Sequence, residues 1–191
     1  MQTLLIDLFL LRDTPYRHAC EDPAAPRRVI LFIALAGIVY GCFVALSQRA
    51  LGVELHGIAM ERIPDWVLFT GNIISGLVIA VVAHAGFSIV VWLMAKAVGG
   101  PGLFAIVYRV TAYVMPLGLL ALPRLGFATA LPEGQMQPAP LAYDILAVIG
   151  VVLTLIGLYK AMRVCQGTSP LRTAIAVALA AVFCASILTI A

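Results

Sequence analysis

Residues 84–116, HAGFSIVVWLMAKAVGGPGLFAIVYRVTAYVMP, carry the strongest structural signal in the chain. A first apolar run contains one histidine and ends at Lys96, and a second apolar run begins near Phe104. The glycine-rich break between them, residues 99–102, has room only for a tight connection. Both runs are too apolar for a soluble domain, so the stretch predicts two membrane helices joined at the membrane surface.

The composition of the whole chain leads to the same prediction. Hydrophobic residues make up 63% of the 191 residues and charged residues 11%, and the mean hydropathy is +1.07. Soluble domains are about 45–50% apolar and about 25% charged. We therefore predict an all-α integral membrane protein. The net charge of +3 is small and forms no basic stripe, so we expect no nucleic-acid partner.

The apolar runs predict five transmembrane helices. Residues 1–11 are too short to cross about 30 Å of hydrocarbon, so we expect a short interfacial helix there, with a helix packed beneath the bundle as the alternative. Together with the proline-containing linker 22–28 it forms an N-terminal segment, residues 1–28, before a single five-helix membrane domain, residues 29–191. The predicted spans are residues 29–46, 73–98, 104–122, 144–161 and 171–190.

Two segments of this layout allow more detail. Residues 66–98 form either one long helix or an interfacial helix followed by a span, and we favour one crossing. Pro116 is expected to kink the third span. The proline-rich stretch 122–143 is expected to be a loop at the membrane interface, and the stretch 48–65, which contains His56 and Glu61, is expected to be a polar loop.

Small residues and cysteines suggest how the helices meet. Gly37 and Gly41 form a GxxxG pattern, which lets two membrane helices approach closely, and we expect this contact to lie within one chain. The four cysteines include no CxxC pair and indicate neither a disulfide framework nor a metal site. Cys42 and Cys184 lie in apolar runs and are expected to be small core residues.

The distribution of basic residues predicts the orientation. With five spans and a cytoplasmic N-terminus, nine of the twelve Lys and Arg residues fall on the inside, as the positive-inside rule requires. The C-terminus then lies outside. The inside residues are Arg12, Arg17, Arg27, Arg28, Lys96, Arg109, Lys160, Arg163 and Arg172, and the outside residues are Arg49, Arg62 and Arg124.

Several short motifs between residues 72 and 190 resemble those of a known family. They are the histidine-bearing second span, GGPGLF at 99–104, Tyr113 followed by Pro116, GLYK at 157–160 and SPLRTA at 169–174. In these features the chain resembles the Yip-domain family, the Ypt/Rab-interacting membrane proteins and their bacterial relatives.

The resemblance implies five membrane helices with a cytosolic N-terminus. Eukaryotic members carry a long cytosolic N-terminal region that we do not expect here, and this departure weakens any transfer of Rab binding to this chain. The chain looks like the compact bacterial type, which implies the bacterial cytoplasmic membrane as its location.

His84 is the leading candidate for a functional residue. Ionisable side chains near the middle of a membrane are costly and are often functional. Its expected partners are Ser88, Asn72 or Asp144, and the alternative is a histidine that only bonds two helices together. Asp144 is otherwise expected at the start of its helix, as a cap or a first-turn residue. The ligand or pathway candidates are His84, Ser88, Asn72, Asp144 and Tyr113.

A second group of candidates is basic. These residues are expected to orient the chain and to contact lipid headgroups, and together they form a cytoplasmic face that suits anionic lipids or an acidic partner. The five residues are Lys96, Arg109, Lys160, Arg163 and Arg172.

The sequence shows no acid pair, catalytic triad, HExxH motif, phosphate-binding loop or dinucleotide fingerprint. We therefore predict that the chain is not an enzyme and has no cofactor or metal. The favoured function is a Yip-like membrane scaffold or adaptor in membrane organisation or a trafficking-like process, with the bilayer, a further copy or another membrane protein as partner. The alternative is a small-solute or ion permease that uses His84.

Overall fold

The computed structural model describes residues 2–52, 54–55, 58–59, 62–100, 102–131 and 137–190, and in these ranges the chain is almost wholly helical. A 3-10 turn, Leu119–Ala121, joins the fifth and sixth helices, and β1 (Glu54–Leu55) pairs with β2 (Ile58–Ala59) in antiparallel fashion. The helices are α1 (Gln2–Phe9), α2 (Thr14–Glu21), α3 (Ala25–Leu51), α4 (Asp65–Ala97), α5 (Phe104–Gly118), α6 (Leu122–Ala130), α7 (Leu141–Gln166) and α8 (Pro170–Ile190).

Four segments are long and apolar enough to cross a membrane: α3, α4, α7 and the continuous segment Phe104–Ala130 that contains α5 and α6. This confirms the prediction of a helical integral membrane protein. In α8 the apolar part with described side chains, Pro170–Ser186, is shorter than a full span. The helix itself has 21 residues and packs against α4 and α7.

Two helix boundaries differ from those predicted. α3 begins at Ala25, inside the expected linker, because Pro26 occupies the first turn, where its missing N–H is no loss. α4 is one continuous helix of 33 residues that begins at Asp65 rather than near residue 73, so one long helix, and not an interfacial helix followed by a span, forms here. It is about 50 Å long at the standard rise per residue.

The predicted loop at residues 122–143 is wrong for its first part. Residues Leu122–Ala130 form α6, because Pro123 again stands in the first turn of a helix. Regular α-helix ends at Gly118, two residues after Pro116, and the chain passes through the 3-10 turn into α6. The predicted loop at residues 48–65 is also wrong at its start, because α3 continues to Leu51. The expected loop residues His56, Glu61 and 132–136 lie outside the described ranges.

The N-terminal segment packs into the bundle. Leu8 of α1 and both Tyr16 and Ala19 of α2 are fully buried, and the two helices contact α5 and α7. These contacts agree with a helix packed beneath the bundle, and α2 is a second helix that the sequence pattern did not predict. Burial raises the pKa of Tyr16 to about 12, and the nearby Asp13 carboxylate adds to this shift.

A disulfide bond joins this segment to the bundle, contrary to the prediction of no disulfide framework. Cys20 of α2 and Cys165 of α7 are bonded across a sequence separation of 145 residues, with their Cα atoms 6.1 Å apart. Cys42 and Cys184 are free and half-buried. No CxxC spacing marks the bonded pair, because it forms only after distant helices meet.

The contact between α3 and α4 is made by backbone atoms. A Cβ atom built on Gly37 would lie 2.8 Å from both the carbonyl oxygen of Gly76 and the Cα atom of Leu77, and a Cβ on Gly41 would overlap the carbonyl group of Asn72. The structure therefore confirms the intramolecular contact predicted from GxxxG. Glycine is required here because any side chain would hold the two helices apart.

The glycine break forms a tight turn after α4. Gly99 has a left-handed φ of 81°, and the N–H of Gly100 donates to the carbonyl of Ala95 over 2.8 Å. A Cβ on Gly100 would lie 2.6 Å from Oε1 of Gln166 at the end of α7. The hairpin end is our name for the end of the bundle that carries this turn, with described residues 98–100 and 102–103, and the α7–α8 connection, residues 167–169.

We expect Gly76→Ala to lower the free energy of unfolding by about 1–3 kcal/mol, because the added methyl group would push the backbones of α3 and α4 apart. Gly86→Ala is the matched control on the same helix, since no atom lies within 4 Å of a Cβ built there. Thermal unfolding in detergent, followed by size-exclusion chromatography, measures both variants. Equal losses in the two variants would contradict the close contact.

Candidate functional site

His84 is buried between α4 and α5, with only 2% of its surface exposed. Its Nε2 atom lies 3.1 Å from the carbonyl oxygen of Tyr108, and the two rings meet edge to face with centroids 4.5 Å apart. A carbonyl oxygen only accepts hydrogen bonds, so this contact assigns the proton to Nε2. Nδ1 is buried and has no partner in the part of the chain that the structure describes.

Two hydroxyl groups extend this polar contact. Ser88 donates from Oγ to the carbonyl oxygen of His84 over 2.7 Å, and its Oγ lies 2.7 Å from Oγ1 of Thr111 on α5. Thr111 is also within 2.9 Å of the carbonyl oxygen of Val107. His84, Ser88 and Thr111 thus form one small polar cluster that joins α4 to α5, and we call it the polar cluster.

A cavity of about 390 Å³ reaches the polar cluster. It lies between α3, α4, α5, α6 and α7, beside the 3-10 turn that interrupts the third span. Its walls present almost only apolar atoms, although His84 and Thr154 both contribute to them. The hydroxyl of Thr154 is buried and unpartnered among the described residues. Such a surface suits an apolar occupant and gives water or an ion few hydrogen-bonding groups.

Two predicted partners of His84 lie elsewhere. The side-chain amide of Asn72 donates to Oε1 of Gln48 and to the carbonyl oxygen of Leu68, each over 2.9 Å. Asn72 precedes His84 by twelve residues of one helix, which corresponds to about 18 Å. The prediction that Asn72 bonds His84 is therefore wrong. Asn72 instead joins α4 to α3 through Gln48.

Asp144 also does not reach His84. It lies in the first turn of α7, as predicted, and its Oδ1 is 2.8 Å from Nε of Arg124 on α6. The carboxylate is half exposed. An exposed ion pair of this kind contributes little to stability, typically below about 1 kcal/mol. Of the predicted partners, only Ser88 meets His84.

Tyr113 belongs to a separate cluster, between α5 and the first turns of α3. Its ring is fully buried and meets Phe32 edge to face at 5.2 Å, and its hydroxyl oxygen is 3.5 Å from the Arg28 guanidinium. Arg28 also pairs with Asp22 over 2.8 Å. The pKa of Asp22 lies below its usual range, chiefly because the N–H of Ala24 donates to its carboxylate and also because Arg28 lies beside it. Tyr113 is thus an anchor between α3 and α5.

The five basic candidates all lie toward the hairpin end, but their surroundings differ. Lys160 is tied to the N-terminal segment, because Nζ donates to the carbonyl of Leu11 and lies 3.2 Å from Oδ1 of Asp13. Arg163 is exposed on α7. Lys96 and Arg172 are also exposed, and Arg109 is half-buried on α5. Lys160 and Arg163 lie inside α7 rather than in the expected loop.

The described residues show no group of three His, Cys, Asp or Glu side chains that would hold a metal ion. Comparisons with known proteins add no homologue: the chain matches no family model, no curated protein and no solved structure.

The sequence pattern did not single out Thr111, Thr154 or Gln166. The sequence signal that could have identified these three residues is a hydroxyl or amide side chain within an apolar helix.

We expect His84→Leu to lower the free energy of unfolding by roughly 1 kcal/mol, because it removes a bond between membrane helices. His84→Gln keeps a side-chain N–H and is expected to retain more stability. Val82→Leu, at an exposed position of α4, is the control and should behave like the unchanged chain. Thermal unfolding in detergent measures all three. If His84→Leu is as stable as the unchanged chain, the structural role of His84 is wrong.

Proposed function

We propose that the chain is a non-enzymatic scaffold or adaptor of the Yip-domain type in a bacterial cytoplasmic membrane. One observation carries the proposal: the polar cluster in the membrane interior bonds α4 to α5, and the adjoining cavity is apolar. Such an interior favours a rigid helical unit whose outer surfaces make the functional contacts. Those contacts are with lipid, with a further copy of the chain or with another membrane protein.

The proposal includes a fifth span, α8, and a cytoplasmic N-terminus. α8 has 21 residues, or about 32 Å of helix, which is enough to cross the hydrocarbon core. Nine of the twelve basic residues then lie inside. The disulfide between Cys20 and Cys165 favours the opposite orientation, because cytoplasmic thiols are normally kept reduced. We give the distribution of basic residues more weight than the disulfide, because basic residues in all the connections between the spans contribute to the orientation.

A reporter fused to the C-terminus tests this orientation. We expect activity from a reporter that works only outside the cytoplasm and none from one that works only inside it, because five spans place the two termini on opposite sides. The same two reporters at the N-terminus provide the control and should give the reverse result. A cytoplasmic signal from the C-terminus would contradict the proposed topology.

A permease is the second candidate, and one observation favours it. The third span is interrupted after Pro116, and the cavity beside the interruption reaches His84. Interrupted helices that surround a central site are common in transporters. The apolar walls of the cavity favour the scaffold, because ions and polar solutes need hydrogen-bonding groups along their route.

Flux into proteoliposomes separates the two candidates. For the scaffold we expect no uptake of ions, sugars or amino acids above that of protein-free vesicles. Uptake that disappears in His84→Ala but persists in His18→Ala would instead favour the permease, since His18 lies in α2, outside the four apolar segments. His18→Ala is the matched control, because a loss of uptake in both histidine variants would indicate a general effect of purification and not a pathway residue.

A further inference from the structure

Arg109 is a charged residue within the apolar segment Phe104–Ala130. α5 begins at Phe104, so Arg109 lies about 8 Å along the helix. It is half-buried and makes no hydrogen bond or ion pair with any residue that the structure describes. An arginine at this depth is costly unless it meets an opposite charge or reaches the membrane surface.

The hairpin end provides a reference for depth. The indole N–H of Trp92 donates to the carbonyl oxygen of Gly102 over 3.3 Å, and the neighbouring Leu103 is 69% exposed. Tryptophan N–H groups favour the headgroup region. Side chains of a helix lean toward its N-terminus, so Arg109 extends back from α5 toward this same level.

An apolar groove lies beside Arg109, between the first turns of α3 and α5. Its volume is about 440 Å³ and it is open on one side. Its walls are mostly apolar, Arg109 is one of its lining residues, and Ile30 on the α3 side is 69% exposed. The groove is lined by Val29, Ile30 and Ile33 of α3 and by Ala105, Tyr108 and Arg109 of α5.

We propose that this groove binds one anionic phospholipid, with its phosphate on Arg109 and one acyl chain along α3 and α5. A guanidinium makes two parallel, charge-assisted hydrogen bonds to phosphate. The apolar walls favour a lipid over a soluble phosphate, and the excess of basic residues at the hairpin end favours an anionic headgroup over a zwitterionic one. The inference needs only the membrane embedding of the helices and holds for a scaffold and for a permease.

The test is a titration of the purified full-length chain in detergent with dioleoylphosphatidylglycerol, in which native mass spectrometry counts the retained lipids. We expect Arg109→Gln to weaken binding of the first lipid about tenfold, the effect of losing one charge-assisted contact. Arg109→Lys should lose less, because the charge remains. Ala105→Phe should also weaken binding, because the larger side chain fills the groove while Arg109 is unchanged.

The matched control is Arg163→Gln, an exposed arginine toward the same end that does not line the groove. We expect it to bind within about twofold of the unchanged chain. Equal losses in the Arg109 and Arg163 variants, or unchanged binding in Arg109→Gln, would overturn the proposal. Dioleoylphosphatidylcholine that binds equally well, or glycerol 3-phosphate that displaces the lipid, would also overturn it. Elution as a single symmetric peak shows that each variant is folded.

Discussion

The close approach of α3 and α4 is the constraint on which the rest of the structure depends. Lipid tails are as apolar as leucine, so membrane helices gain little from burying apolar surface and associate through tight packing instead. Gly37, Gly41 and Gly76 let the two backbones touch. Once α4 is held there, its buried stripe, which contains His84 and Ser88, packs against α5.

The interior of the bundle uses its few polar groups mainly to join helices. The polar cluster connects α4 to α5, the Asn72 amide connects α4 to α3, and Arg28 reaches Tyr113 from α3 to α5. No hydrogen bond among the described residues links these three contacts to one another. The cavity that reaches His84 is apolar because hydrocarbon side chains of α3, α4, α5, α6 and the 3-10 turn form most of its lining. This arrangement suits a rigid helical unit better than a path for solutes.

The basic residues toward the hairpin end differ in whether a described protein group binds them. Lys160 holds the N-terminal segment through Leu11 and Asp13, and the disulfide at Cys165 holds the same segment one turn further on. Arg109 differs from Lys160, because no described protein group neutralises it and an apolar groove lies beside it. A set of basic residues that looks uniform in sequence therefore includes Lys160, which is bonded to the N-terminal segment, and Arg109, which lines the groove.

Local patterns in the sequence determined the membrane class and the placement of His84 and Ser88 on the same side of one helix, because hydropathy and helical periodicity depend only on neighbouring residues. Only the tertiary structure decided that Cys20 meets Cys165 and that Asp144 meets Arg124. Only the tertiary structure also showed that Arg109 and residues of α3 line one groove. These contacts join residues far apart in the chain, and helix packing brings them together without leaving a local signal.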